Sequence, residues 1–175
     1  MSAAHRVDSF SEVTQRLIAA ESAIEALQKK VRIAADVQEI QVLQVRYVNA
    51  LMCIDWDEAA DCFAENAKVD VYLHEPVSGK NAIAKFFKSE LSKTHAGKEG
   101  LVCIHPIVTV NGDTACGKWL LYIMYFYPRT AQSLFWVQGF YRMEYVRENG
   151  NWKISLMTWT ERLGLPGGGP PTNLW

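Results

Sequence analysis

The sequence is short of several things, and each shortage removes a class of function. Charge of one sign is missing: the formal net charge is −1 over 175 residues, so no global field draws the chain to nucleic acid or to a membrane surface. A run of about eighteen apolar residues, the length a spanning helix needs, is missing as well. The opening MSAAHRVDSFSEV has no apolar signal core, so a cytoplasmic location is expected. Cysteines number four (Cys53, Cys62, Cys103, Cys116), and their spacing fits neither CxxC nor a zinc site. Buried, reduced thiols are expected instead. The four histidines are scattered without ligand spacing, so no metal is expected. GLPGGGPP follows a strand pattern and opens no helix, so it is no phosphate loop. No cofactor is expected.

What is present is an ordinary globular composition, 49% hydrophobic and 21% charged. Apolar residues fall at Phe10, Val13, Leu17, Ala20, Ile24, Leu27, Val31 and Ala34, alternating steps of three and four. That heptad seam predicts a long amphipathic helix over 1–35 whose stripe must be buried, either on its own domain or against an oligomer partner. A second helix is expected from Asp36 to Ile54, apolar on more than one side. Asp55 then has two readings. It can cap a short helix, DWDEAADCF, with Glu58 three residues on completing a capping box. Or it can reach a pocket as a base.

AKVDVYLH alternates as a strand, EPVSGK is a turn, and NAIAKFFKSELSK is helical with Asn81 as its cap. From Leu101 the chain turns to β: LVCIHPIVTV, TACGKWLLYIMYFY, LFWVQGFYRMEYVR and WKISLMTWT, separated by tight turns. In the third of these, Phe135, Val137, Gly139, Tyr141 and Met143 share the buried face, and Gln138, Arg142 and Glu144 the other. Gly139 is a candidate bend or bulge. His74 and His95 are expected at the surface. The order predicts an α+β fold: a curved antiparallel sheet with helices on one side, over 36–162, followed by an irregular tail over 163–175. Such a sheet leaves a cone-shaped cavity suited to a small molecule.

The stretches DVQEIQVLQVRYVNAL, DWDEAADCFAENAKVDV, GKNAIAKFF, HPIVTVNGDTACGKW and GFYRMEYVRENGNWKI together resemble the SnoaL-like branch of the nuclear transport factor 2-like superfamily, over residues 36–160. The resemblance implies a cone with a helical lid. It implies cofactor-independent chemistry of the kind carried out by scytalone dehydratase, lindane dehydrochlorinase and bile-acid dehydratase, where an Asp–His dyad removes a proton and a leaving group departs. It also implies a homo-oligomer, dimer or trimer. The dyad itself does not carry over. Eleven residues before Phe63, where the family has its Asp, stands Met52; five before Pro106, where it has its His, stands Leu101. Four after Gly139, a further acidic position, stands Met143.

The residues left for acid–base work are His105, which shares strand parity with Leu101, and Tyr47, which matches a lid tyrosine of the family; Asp55 is the third candidate. Met52, Leu101, Cys103, Trp119, Phe135, Tyr141, Met143 and Arg162 are the expected lining for a hydrophobic ligand. Three functions follow: a cofactor-independent lyase, isomerase or cyclase on a hydrophobic polycyclic or aromatic substrate; a non-catalytic binder with a degenerate site; or a small subunit supporting a partner enzyme.

Overall fold

KKVRIAADVQEI holds neither glycine nor proline, and nothing in it stops a helix. In the computed structural model a single helix, α1, accordingly runs from Ala3 to Met52. The two helices expected on either side of residue 35 are therefore one. The structure describes residues 3–71, 74–93, 95, 97, 99–126 and 134–163, with 3–9, 125–126 and 134–136 as backbone only. The Gly/Pro-rich tail from residue 164 lies outside the described residues. The chain divides into two units, Met1–Asp36 and Val37–Trp175.

In the first unit the heptad positions Phe10, Val13, Leu17, Ile24, Leu27 and Val31 are all exposed, from 53% to 76%.

The second unit is a six-stranded sheet under helices. α2 spans Trp56–Asp61 and α3 spans Lys80–Ser89, followed by a 3-10 turn at Leu91–Lys93. The strands are β1 (Phe63–Val71), β2 (Val77–Ser78), β3 (Gly100–Asn111), β4 (Thr114–Phe126), β5 (Leu134–Glu148) and β6 (Asn151–Leu163). Their order across the sheet is β2-β1-β6-β5-β4-β3. β3 to β6 form an antiparallel meander, while β1 pairs with β6 in parallel. β1 starts at Phe63, four residues earlier than the alternation of AKVDVYLH suggests, and α3 is entered through Gly79 at φ 90° rather than capped by Asn81.

Along β5 the odd positions Val137, Gly139, Tyr141, Met143 and Tyr145 are buried, and Arg142 and Glu144 are exposed, as alternation requires. Gln138 and Phe140 are buried too, so both faces are covered there. The ladder slips between Gln138 and Gly139. A Cβ at Gly139 would lie 2.3 Å from the Trp159 ring and 2.5 Å from the Thr160 carbonyl oxygen, so only glycine permits this close approach. Bulges of this kind bend a sheet. The core lies between the sheet and α1 to α3: Ile40, Leu51, Phe63, Ile83, Phe87, Leu121 and Ile154 are at most 2% exposed.

Candidate functional site

The C-terminal half of α1 supplies the helical wall. Ile40, Leu43, Gln44, Tyr47, Val48 and Leu51 recur at steps of three and four and are all buried. Tyr47 sits at the centre, its ring 5.4 Å from Phe63, 6.2 Å from Tyr141 and 6.3 Å from Phe87. Its hydroxyl donates to the Met157 sulfur at 3.1 Å. Burial, reinforced by Tyr141, pushes its pKa well above the ordinary tyrosine range, so the group is a neutral donor at any physiological pH.

One turn earlier, Gln44 heads a polar chain. Its Oε1 accepts from the Tyr145 hydroxyl at 3.1 Å, and that hydroxyl accepts from Trp119 Nε1 at 2.9 Å. The Gln44 amide donates to Cys103 Sγ at 3.8 Å. Burial raises the Cys103 thiol to about 12 and the Tyr145 phenol above its usual range. Both stay protonated, and neither is a nucleophile or base near neutrality.

Tyr47, Tyr141, Trp119, Cys103, Leu101 and Met143 thus belong to one buried or partly buried cluster, with Met52 packed against it. Met143 pairs across the ladder with Met157, and the Tyr141 ring meets Trp159 at 5.2 Å with the planes tilted by 57°. The Phe135 side chain lies outside the described residues.

The remaining candidates stand apart from that cluster. Asp55 is exposed and is the N-cap of α2: its Oδ1 accepts the Glu58 N–H at 3.0 Å. The rest of the expected capping box is not formed. The Asp55 N–H is already bonded to the Ala50 carbonyl, and Glu58 reaches the Arg46 guanidinium. His105 is also exposed. The β3–β4 register shifts between Ile104 and Ile107, where Pro106 has no N–H to give the ladder. His105 takes φ 53° there, and the parity it shares with Leu101 in the sequence ends at this bulge. Arg162 is exposed and donates to Gln138 Oε1 at 2.7 Å; Gln138 in turn bonds the Tyr122 hydroxyl.

Two residue groups were missed by sequence reasoning. Gln44 and Tyr145 carry the buried polar chain. The signal was available: Gln44 lies three residues before Tyr47 on the inward stripe, and Tyr145 continues the odd-numbered face of β5. The second group is His95 and Glu99. Each is only 7% exposed, although His95 was expected at the surface. The His95 ring stands edge-on to Trp56 at 6.4 Å. Burial lowers its basicity and the charge of Glu99 opposes that shift. Nothing in a polar loop sequence announces that it folds inward. The cysteines also differ from expectation: all are free thiols, but Cys53 and Cys116 are exposed, at the end of α1 and on an outward position of β4. A separate open groove of about 620 Å³ runs along the sheet by Ile107, Cys116, Lys118, Arg142 and Thr158; among the described residues, Met143 is the one expected lining residue that borders it.

A family model for the SnoaL-like domain matches residues 32–158. The chain belongs to the SnoaL-like domain family. Among solved structures, the SnoaL-like domain is similar to the hexachlorocyclohexane dehydrochlorinase LinA-type3 from Novosphingobium barchaimii, at 17% identity and TM-score 0.68, covering 81% of this chain and 95% of that one. It is similar to an NTF2-like protein with a cystatin-like fold from Novosphingobium aromaticivorans, at 20% identity and TM-score 0.67, covering 81% and 89%. It is also similar to an NTF2-like protein of unknown function from Pseudomonas putida, at 18% identity and TM-score 0.65, covering 81% and 97%. At these identities the likeness is one of fold. No curated protein sequence matches. Among the described residues no helix is long and apolar enough to cross a membrane.

Proposed function

We propose that this SnoaL-like domain binds a hydrophobic polycyclic or aromatic molecule on the helix-covered side of its sheet, and acts on it as a cofactor-independent lyase, isomerase or cyclase. The observation that carries the reading is the Tyr47 hydroxyl: a neutral, fully buried phenol bonded to a thioether. Sulfur is a weak acceptor. A carbonyl or departing hydroxyl of a ligand is a better partner, so the group is suited to donate a hydrogen bond to oxygen as charge develops there. Tyr141 lies beside it, and Met52, Leu101, Cys103, Trp119 and Met143 offer an apolar, adaptable wall. Holding one reactive conformer supplies the rest. His105, Asp55 and Arg162 are exposed and take no part in this chemistry. Family membership and the structural likeness to a dehydrochlorinase support the enzymatic half.

A second reading, a binder without turnover, is favoured by Met52, Leu101 and Met143 standing where the family resemblance expects ionisable groups. One experiment separates them. The protein is incubated with hydroxylated steroid ketones and aromatic polyketide ketones, with binding read by calorimetry and products by mass spectrometry. Loss of water, or a new isomer of unchanged mass, supports the enzyme. A compound that binds but returns unaltered supports the binder. A Tyr47→Phe variant that binds and converts as well as the parent removes the phenol from either account.

A further inference from the structure

The first unit presents an apolar seam to solvent over about 36 Å of helix, at a rise of about 1.5 Å per residue from Phe10 to Ala34. Ile24, Leu27 and Val31 in its middle are 53%, 59% and 68% exposed. Sustained for more than three heptads, a seam of this spacing is the signature of supercoiling helices. With Phe10 at position a, Leu17, Ile24 and Val31 also fall at a, and Val13, Ala20, Leu27 and Ala34 fall at d. The central heptad pairs β-branched Ile24 at a with Leu27 at d, the combination that favours two parallel strands, and the alanines let the helices approach closely.

The flanking charges choose between orientations. Arg16 and Lys30 fall at g, and Glu21 falls at e. In a parallel, in-register pair, Arg16 of one copy lies opposite Glu21 of the other, twice by symmetry. In an antiparallel pair with the seam fully overlapped, Arg16 meets Lys30 and Glu21 meets Glu21. Like charges there disfavour the alternative. We infer that residues 10–34 form a parallel, two-stranded coiled coil with a second copy of this chain. The inference rests on the first unit alone and is independent of any ligand.

The test uses the full chain. Light scattering after size exclusion is expected to give twice the 19.8 kDa chain mass. The double variant Ile24→Lys/Leu27→Lys is expected to halve it, while the cooperative melting of the sheet, followed by near-ultraviolet dichroism, stays in place. Ala20→Cys, in a background with Cys53 and Cys116 changed to serine, is expected to cross-link to dimer with diamide, because only the parallel register brings position 20 against itself. A monomeric or trimeric parent, a mass that survives the double lysine variant, or no cross-link at position 20 overturns the assignment.

Discussion

At the residue scale the decisive groups are neutral donors held by burial. Tyr145 receives from Trp119 and gives to Gln44, so removing its hydroxyl leaves two buried partners unmatched. Tyr145→Phe is expected to destabilise the protein by about 1–3 kcal/mol, read from the urea midpoint; an unchanged midpoint would mean water replaces the hydroxyl. Tyr47 differs, because its partner is a sulfur that accepts weakly. Tyr47→Phe is expected to cost under about 1 kcal/mol of stability yet to lower turnover roughly 100- to 1000-fold on any substrate the screen finds. The opposite pattern, a large stability loss with activity intact, would make it a core residue only. Asp55→Ala should cost about 1 kcal/mol through the lost cap and leave ligand affinity unchanged.

At the element scale the junctions hold the interest. α1 ends with the Ile54 N–H on the Leu51 carbonyl and the Asp55 N–H on the Ala50 carbonyl. Ile54 itself sits at φ 58°, in the left-handed position that glycine usually occupies at such an end. A β-branched side chain is strained there. Ile54→Gly is therefore expected to stabilise by roughly 1 kcal/mol, seen as a raised urea midpoint at constant slope; a lowered midpoint would show that packing of the Ile54 side chain near Gly97 outweighs the strain. The second junction is Asp61, which receives Lys80 at 2.9 Å, Arg46 at 3.0 Å and Lys153 at 3.2 Å. One carboxylate thus ties α1, α2, the start of α3 and β6.

At the scale of the whole molecule these groups set the response to acid. Lys80 first, then Lys153 and Arg46, hold the Asp61 carboxyl far below the ordinary carboxylate range. A depressed folded-state pKa stabilises above the unfolded value, near 4, and the gain is lost as pH falls through and below it. Because Asp61 is half-exposed, the effect after screening is about 1 kcal/mol. His95 is also lowered, by burial, so its contribution is present above about pH 6.5 and lost as pH falls below that. Acid titration of unfolding free energy should show two stages, an upper one abolished by His95→Gln and a lower one, to which Glu58 and Glu90 also contribute, reduced by Asp61→Asn. A profile that neither substitution alters would remove both groups from the acid response.

The alternation of β3 to β6 and the turns between strands were legible in the sequence, because period and turn chemistry are local; the expectation that 36–54 is apolar on more than one side was not met, since Val42 and Val45 are exposed and one stripe is buried. The family was legible too, since its motifs are spread along one continuous stretch. Four things were read wrongly or not at all. That α1 continues through residue 35 depended on the absence of any breaker, which a pattern of two differently faced segments disguised. His105 left the register of Leu101 because Pro106 cannot serve the ladder, a signal that was visible but outweighed by parity. The inward fold of His95 and Glu99, and the meeting of Gln44 with Tyr145 across 101 residues of chain, were decided by tertiary structure alone. The sequence determines which face of each element is apolar; which polar groups those faces bring together depends on how β6, paired with β1 at one edge and β5 at the other, closes the sheet beneath the helices, and no local pattern encodes that.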